Sequence, residues 1–212
     1  MGYTLLYRIF SPLFRMKLRN VRGTEYLPDK PPFLIAANHV GFFDGPALAS
    51  VIFRQYRQPI YYVTLEAVWR IWGKLIARNF FGMIPLDNKQ KSGVLQESLE
   101  HLKAGHIVGI FPEAHRNKDE ASLEQGKTGA IRMAITSGAP IIPVGIINTT
   151  GLRLGAALAS LSKKNAYIDL SFGPPVDLSE FQNRPIDKPL LDEATRKLML
   201  AIGRLCNKDY HF

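Results

Sequence analysis

Beyond residue 21, short apolar runs alternate with longer stretches in which apolar positions recur every three or four residues. Runs of four to seven apolar residues at 33–37, 60–63, 83–86, 107–111, 141–147 and 167–172 predict strands. Helical periodicity predicts helices at 45–57, 66–78, 92–104, 127–137 and 188–207. Strand and helix in alternation favour an α/β fold: a mostly parallel central sheet, helices on its faces, and functional groups at the carboxyl ends of the strands. The proline-rich stretches 28–32 and 173–175 read as loops between elements.

The chain start follows a different pattern. Leu5, Leu6, Ile9, Phe10, Leu13 and Phe14 recur at helical spacing, with Arg8, Arg15, Lys17 and Arg19 around them. Ser11-Pro12 divides this stretch into two short helical pieces. Residues 1–20 are therefore expected to be a basic amphipathic membrane-contact segment, and 21–212 a catalytic domain. A terminal helix packed on its own domain fits the same pattern.

Composition narrows the partners. The 212 residues are 46% apolar, enough for one well-packed domain. Lys and Arg number 27 against 18 Asp and Glu, a net charge of +9, which favours an anionic partner such as a lipid headgroup surface. Nucleic acid is not expected, because no basic stripe with interleaved aromatics occurs. Cys206 is the sole cysteine, so no intrachain disulfide can form, and it reads as a small buried apolar side chain. A charged residue interrupts every apolar run before the roughly 18 to 20 residues a bilayer span needs. The start shows neither a signal-peptide layout nor a myristoylation motif, so the expected location is peripheral, on the cytoplasmic face of a membrane.

Two loops carry candidate chemistry. Asn38-His39 follows the 33–37 strand, and Asp44 lies five residues beyond His39, where the chain can fold back onto the imidazole. A carboxylate on one ring nitrogen fixes the tautomer and prepares the other nitrogen as a general base. No Ser or Cys nucleophile is needed if the substrate brings its own hydroxyl. A histidine that caps a helix or completes a core hydrogen bond would show the same spacing. Phe111-Pro112-Glu113-Ala114-His115-Arg116 also follows a strand: Arg116 can hold a phosphate bidentately, and Glu113 can orient that guanidinium or the hydroxyls of an acceptor. A structural turn is the plainer reading of this loop. No compact metal-ligand spacing such as His-Glu-x-x-His occurs.

Taken together, Asn38-His39 with Asp44, Gly82 to Asp87, Phe111 to Arg116, and Ile141-Ile142-Pro143-Val144 resemble the four blocks of the glycerolipid acyltransferase family, which includes 1-acylglycerol-3-phosphate acyltransferases. Lys127-Thr128-Gly129-Ala130 also looks like that family. The resemblance covers residues 21–172. It implies His39 as base and Asp44 as its orienting partner, with Glu113 and Arg116 contacting the acceptor. Lys127, Asn88 and Lys89 are further candidates for substrate binding. The implied reaction moves a fatty acyl group from acyl-CoA or acyl carrier protein to a lysophospholipid hydroxyl, with 1-acylglycerol-3-phosphate the leading acceptor and no cofactor beyond the thioester cosubstrate. An acyltransferase for a different lysolipid or polar acceptor, or a non-catalytic membrane lipid-binding protein of the same fold, are the alternatives. Two positions depart from the family pattern. Asn88, followed by Lys89 and Lys91, stands where an Arg is common, and Ala114-His115 replaces a Gly-Thr pair. His115 reads either as a proton-transfer group or as a loop substitution. Asn148-Thr149-Thr150 fits the glycosylation sequon, which we read as coincidence. Phe42, Phe43, Trp69, Trp72, Phe80 and Phe81 could line an acyl channel or belong to the core.

Overall fold

The computed structural model describes residues 11–65, 82–86, 91–182 and 184–212. The expected helix at 66–78, the candidate residues Asn88 and Lys89, and the aromatics Trp69, Trp72, Phe80 and Phe81 lie outside them, as do the first ten residues of the expected amphipathic start. Among the described residues, seven strands form one sheet: β1 (Leu18–Arg22), β2 (Phe33–Ala37), β3 (Ile60–Leu65), β4 (Met83–Leu86), β5 (Ile107–Ile110), β6 (Ile141–Asn148) and β7 (Ile168–Phe172). Their spatial order is β1-β7-β6-β2-β5-β3-β4. The five strands from β6 to β4 are mutually parallel. β7 runs antiparallel to β6, and β1 pairs parallel with β7.

The α/β expectation holds, with one addition. β1 occupies part of the stretch read as amphipathic helix. Its five residues are intermediate or exposed, as befits a strand at the edge of the described sheet, and so short a polar run gives periodicity little to register. Residues 11–15 just before it are helical.

Burial follows from the layering. All five residues of β2 are buried because both sheet faces are covered. Phe33, Ile35 and Ala37 face a core built on α1 (Asp44–Tyr56), while Leu34 and Ala36 face a second core. That second core is closed by α2 (Lys91–Lys103), α3 (Gly129–Ser137) and α5 (Lys188–Cys206). A short helix, α4 (Leu154–Ser160), follows β6. β5 and β6 are consecutive in sequence yet flank β2, so the chain segments leaving β2, β5 and β6 must converge over the carboxyl end of β2.

Candidate active site

Those three segments build the site. Asn38, fully buried, acts as a side-chain extension of the sheet: its Nδ2 donates to the Ile146 carbonyl at 2.9 Å and its Oδ1 accepts from the Ile146 N–H at 2.6 Å. The backbone turn after β2 is thereby tied to β6. His39 comes next, its side chain 20% exposed. Its Nδ1 lies 2.8 Å from Asp44 Oδ2. The same oxygen accepts the backbone N–H groups of Val40 and Gly41, each at 2.7 Å.

Asp44 opens α1 and is fully buried. A buried carboxylate survives only with its lone pairs satisfied, and here the helix N-terminus adds a favourable dipole. Its other oxygen, Oδ1, accepts from Asn148 Nδ2 at 2.6 Å. Because Asp44 takes Nδ1, Nε2 is the His39 nitrogen left for chemistry. The ring stacks on Phe111 at 4.2 Å between centroids and 19° between planes. Phe111 in turn lies parallel to Tyr62 at 5.9 Å.

The loop after β5 holds the backbone of His39 from both sides. Glu113 Oε1 accepts the His39 N–H at 3.0 Å, and the Asn117 N–H donates to the His39 carbonyl at 2.7 Å. Glu113 was expected to meet Arg116 or the acceptor. It is instead fully buried, with Oε2 accepting from Asn117 Nδ2 at 2.8 Å and from the Glu124 N–H at 3.0 Å. Arg116 is exposed, its guanidinium 5.6 Å above the Phe42 ring, and Lys127, also exposed, closes the same loop through its N–H to the Pro112 carbonyl at 2.9 Å. His115 is turned to Glu124, with Nε2 2.5 Å from Oε2.

Two further histidines lie away from this centre. His101 and His106 meet each other, Nδ1 to Nδ1 at 3.1 Å, against the Tyr61 ring at the amino end of β5. Among the described residues no group of three or more His, Cys, Asp or Glu could hold a metal ion. Cys206 is buried, and desolvation pushes its thiol up to about 11. Phe43 is core, edge-on to Phe14 at 5.4 Å. Residues that sequence reasoning left without a role, Asn38, Asn117 and Asn148, are the ones that join the three loops. Asn148 did carry a signal, the Asn-x-Thr spacing set aside as coincidence.

A buried carboxylate, a part-exposed imidazole and exposed cations at one sheet edge suit proton abstraction from a hydroxyl. Residues 18–147, more than half of the chain, match the profile of the family described as Acyltransferase. The chain belongs to this acyltransferase family. The enzyme is 32% identical over 178 residues to the 1-acyl-sn-glycerol-3-phosphate acyltransferase of Escherichia coli, covering 81% of this chain and 67% of that one. The enzyme of the same description from Bacillus subtilis is 29% identical, over 89% of this chain and 88% of its own. In fold, the acyltransferase resembles the crystal structure of the 1-acyl-sn-glycerophosphate acyltransferase of Thermotoga maritima, with a TM-score of 0.63 at 18% identity over 97% of this chain and 81% of that one. His39 and Asp44 fall within the matched span, and Asn148 is the first residue beyond it.

Proposed function

We propose that this acyltransferase moves a fatty acyl group from a thioester, acyl-CoA or acyl carrier protein, to the free hydroxyl of a lysophospholipid, with 1-acylglycerol-3-phosphate the favoured acceptor, in phospholipid biosynthesis. The observation that carries the reading is the 2.8 Å contact between His39 and the buried Asp44, with the ring part-exposed where three loops converge. Nε2 of His39 takes the hydroxyl proton as the acceptor oxygen attacks the thioester carbonyl carbon. Asp44 stabilises the imidazolium that forms. The tetrahedral intermediate collapses, the carbon–sulfur bond breaks, and the proton passes to the departing thiolate, leaving His39 neutral and the enzyme never acylated. The exposed cations Arg116 and Lys127 bind the acceptor phosphate, a role supported by their shared loop and by the acceptor for which the relatives are named. Glu113 serves this reaction as a positioning residue through the His39 backbone.

The acceptor lies in a membrane, and the chain offers a face beside the site. Leu18, Ile168 and Asn148 stand in one row, since Leu18 pairs with Ile168 and Ile168 with Asn148. Residues 11–17 and 149–167 therefore emerge at the same sheet edge as His39, tied together by Lys17 Nζ donating to the Lys163 carbonyl at 2.7 Å. Neither stretch contains an acidic residue. Exposed Met16, Leu154 and Leu158 alternate there with exposed Arg15, Arg153, Lys163 and Lys164, a composition suited to anionic headgroups over an acyl boundary. We infer peripheral attachment at the cytoplasmic face through this surface. No helix among the described residues is long and apolar enough to cross a membrane.

The test is product mass spectrometry after mixing the enzyme with a panel of lysolipids and both donor types. Acylated lysophosphatidate, lost in His39→Ala and cut about 100-fold or more in Asp44→Asn, is expected. A folded His39→Ala protein that keeps the wild-type rate overturns the reading.

A further inference from the structure

Asp44 has two oxygens, and His39 uses only one of them. Oδ2 carries the imidazole and two backbone N–H groups, all from the turn at 39–41, whereas Oδ1 meets a side chain from the far end of β6: Asn148 Nδ2, 2.6 Å away. The orientation of that amide is determined by its own surroundings. Asn148 Oδ1 accepts both the backbone N–H of Thr150 at 2.7 Å and its hydroxyl at 2.6 Å, so two donors hold the carbonyl end and the NH2 end must face the carboxylate. Thr150 is buried, 2% exposed, which keeps these two bonds out of competition with water.

Steric fit agrees. A Cβ on Gly41 would fall 2.2 Å from Asn148 Nδ2, so the turn that donates to Oδ2 packs directly on the amide that donates to Oδ1. Gly41 leaves that space open. The Asn-x-Thr spacing, which resembles a modification signal, thus has a structural account: the residue two ahead orients the amide.

We propose that Asn148, oriented by Thr150, is a positioning residue for the general base. It fixes the rotation of the Asp44 carboxylate so that Oδ2 stays in line with His39 Nδ1, and among the described residues it supplies the one side-chain donor to Asp44 from outside the 39–44 turn. Rotation of the carboxylate would draw Oδ2 off the imidazole and let the ring swing on its own backbone, against the Phe111 ring stacked on it. This inference rests on His39 acting as the base.

Asn148→Asp is the discriminating variant. It keeps shape and volume while turning the donor into an acceptor aimed at a carboxylate, so a packing role would survive it and a donor role would not. The expected result is a kcat lower by about tenfold to a hundredfold with KM changed less than about threefold, the signature of a misplaced base on an intact substrate site. Thr150→Val should lower kcat by a smaller factor, and Thr150→Ser, which keeps the hydroxyl, should restore it. A spectroscopic readout separates positioning from general destabilisation: the downfield proton NMR signal of the His39 Nδ1–H, assigned by its loss in His39→Ala, should shift or broaden in Asn148→Asp and Thr150→Val while other dispersed signals stay. Wild-type kcat with an unmoved Nδ1–H signal in Asn148→Asp overturns the proposal. Should that variant fail to fold, Thr150→Val decides on the same two readouts. An active His39→Ala removes the functional reading itself, whereas an inactive His39→Ala beside a fully active Asn148→Asp removes only this inference.

Discussion

Glu113 Oε1 accepts the backbone N–H of His39 at 3.0 Å, joining residues 74 positions apart. The bond sets where the imidazole begins, while Asp44 sets which way it points. A fully buried carboxylate with three chain donors is costly to alter, because each donor left unpaired loses its partner without regaining water. Glu113→Gln keeps one acceptor oxygen and turns an NH2 toward existing donors. Expected are a loss of about 1–3 kcal/mol in stability and a reduced kcat, read by denaturant melts alongside steady-state kinetics. An equally stable, equally active Gln variant would show that the clamp on His39 is dispensable.

Ala114 sits at φ 66, a left-handed conformation that an L side chain adopts at a cost of roughly 1 kcal/mol. It occupies the position where the family resemblance places glycine, so the strain is a property of this chain. Ala114→Gly should raise stability by about 0.5–1 kcal/mol, the relieved strain being partly offset by a freer unfolded chain. A lower melting temperature in that variant would contradict the backbone geometry.

Asp169 ties the edge strand β1 to β7. Burial pushes its carboxyl up, but Arg19 and Asn20 outweigh this and hold it below the ordinary value. Arg19 Nη2 reaches Oδ2 at 2.5 Å, and Asn20 donates both its N–H and Nδ2 to Oδ1 at 3.1 Å. With the folded value depressed, the unfolded chain binds the proton more readily. The contribution is therefore complete above the unfolded carboxyl value, near pH 4, and lost as pH falls through the folded value. Hydrogen exchange of β1 amides should rise below about pH 4 in the wild type, and should already be raised at neutral pH in Asp169→Asn. Equal protection of β1 in both proteins at pH 7 would remove the claim.

Leu154 and Leu158 are 45% and 52% exposed and one helical turn apart on α4. If this face lies on lipid, Leu154→Asp with Leu158→Asp should weaken co-sedimentation with anionic vesicles about tenfold or more, while turnover of a monomeric short-chain lysolipid stays near wild type. Unchanged sedimentation would place the membrane face elsewhere.

What the sequence by itself determined is local: the apolar runs of β2, β5 and β6, the spacing of His39 and Asp44 within one turn, and the helical stripe of α5. Tertiary structure decided the rest, because it depends on which strands become neighbours. Placing β2 between β5 and β6 brought Glu113 under the His39 backbone and Asn148 against Asp44, contacts across 74 and 104 positions that no periodicity encodes. It also made Glu113, which the sequence offers as a partner for Arg116 or the acceptor hydroxyls, a buried anchor, and gave β1, a short polar strand at the edge of the described sheet, a place that its side-chain pattern could not announce. Pairing partners are chosen by the packing of the two covered faces, and that choice is made only when the whole sheet is assembled.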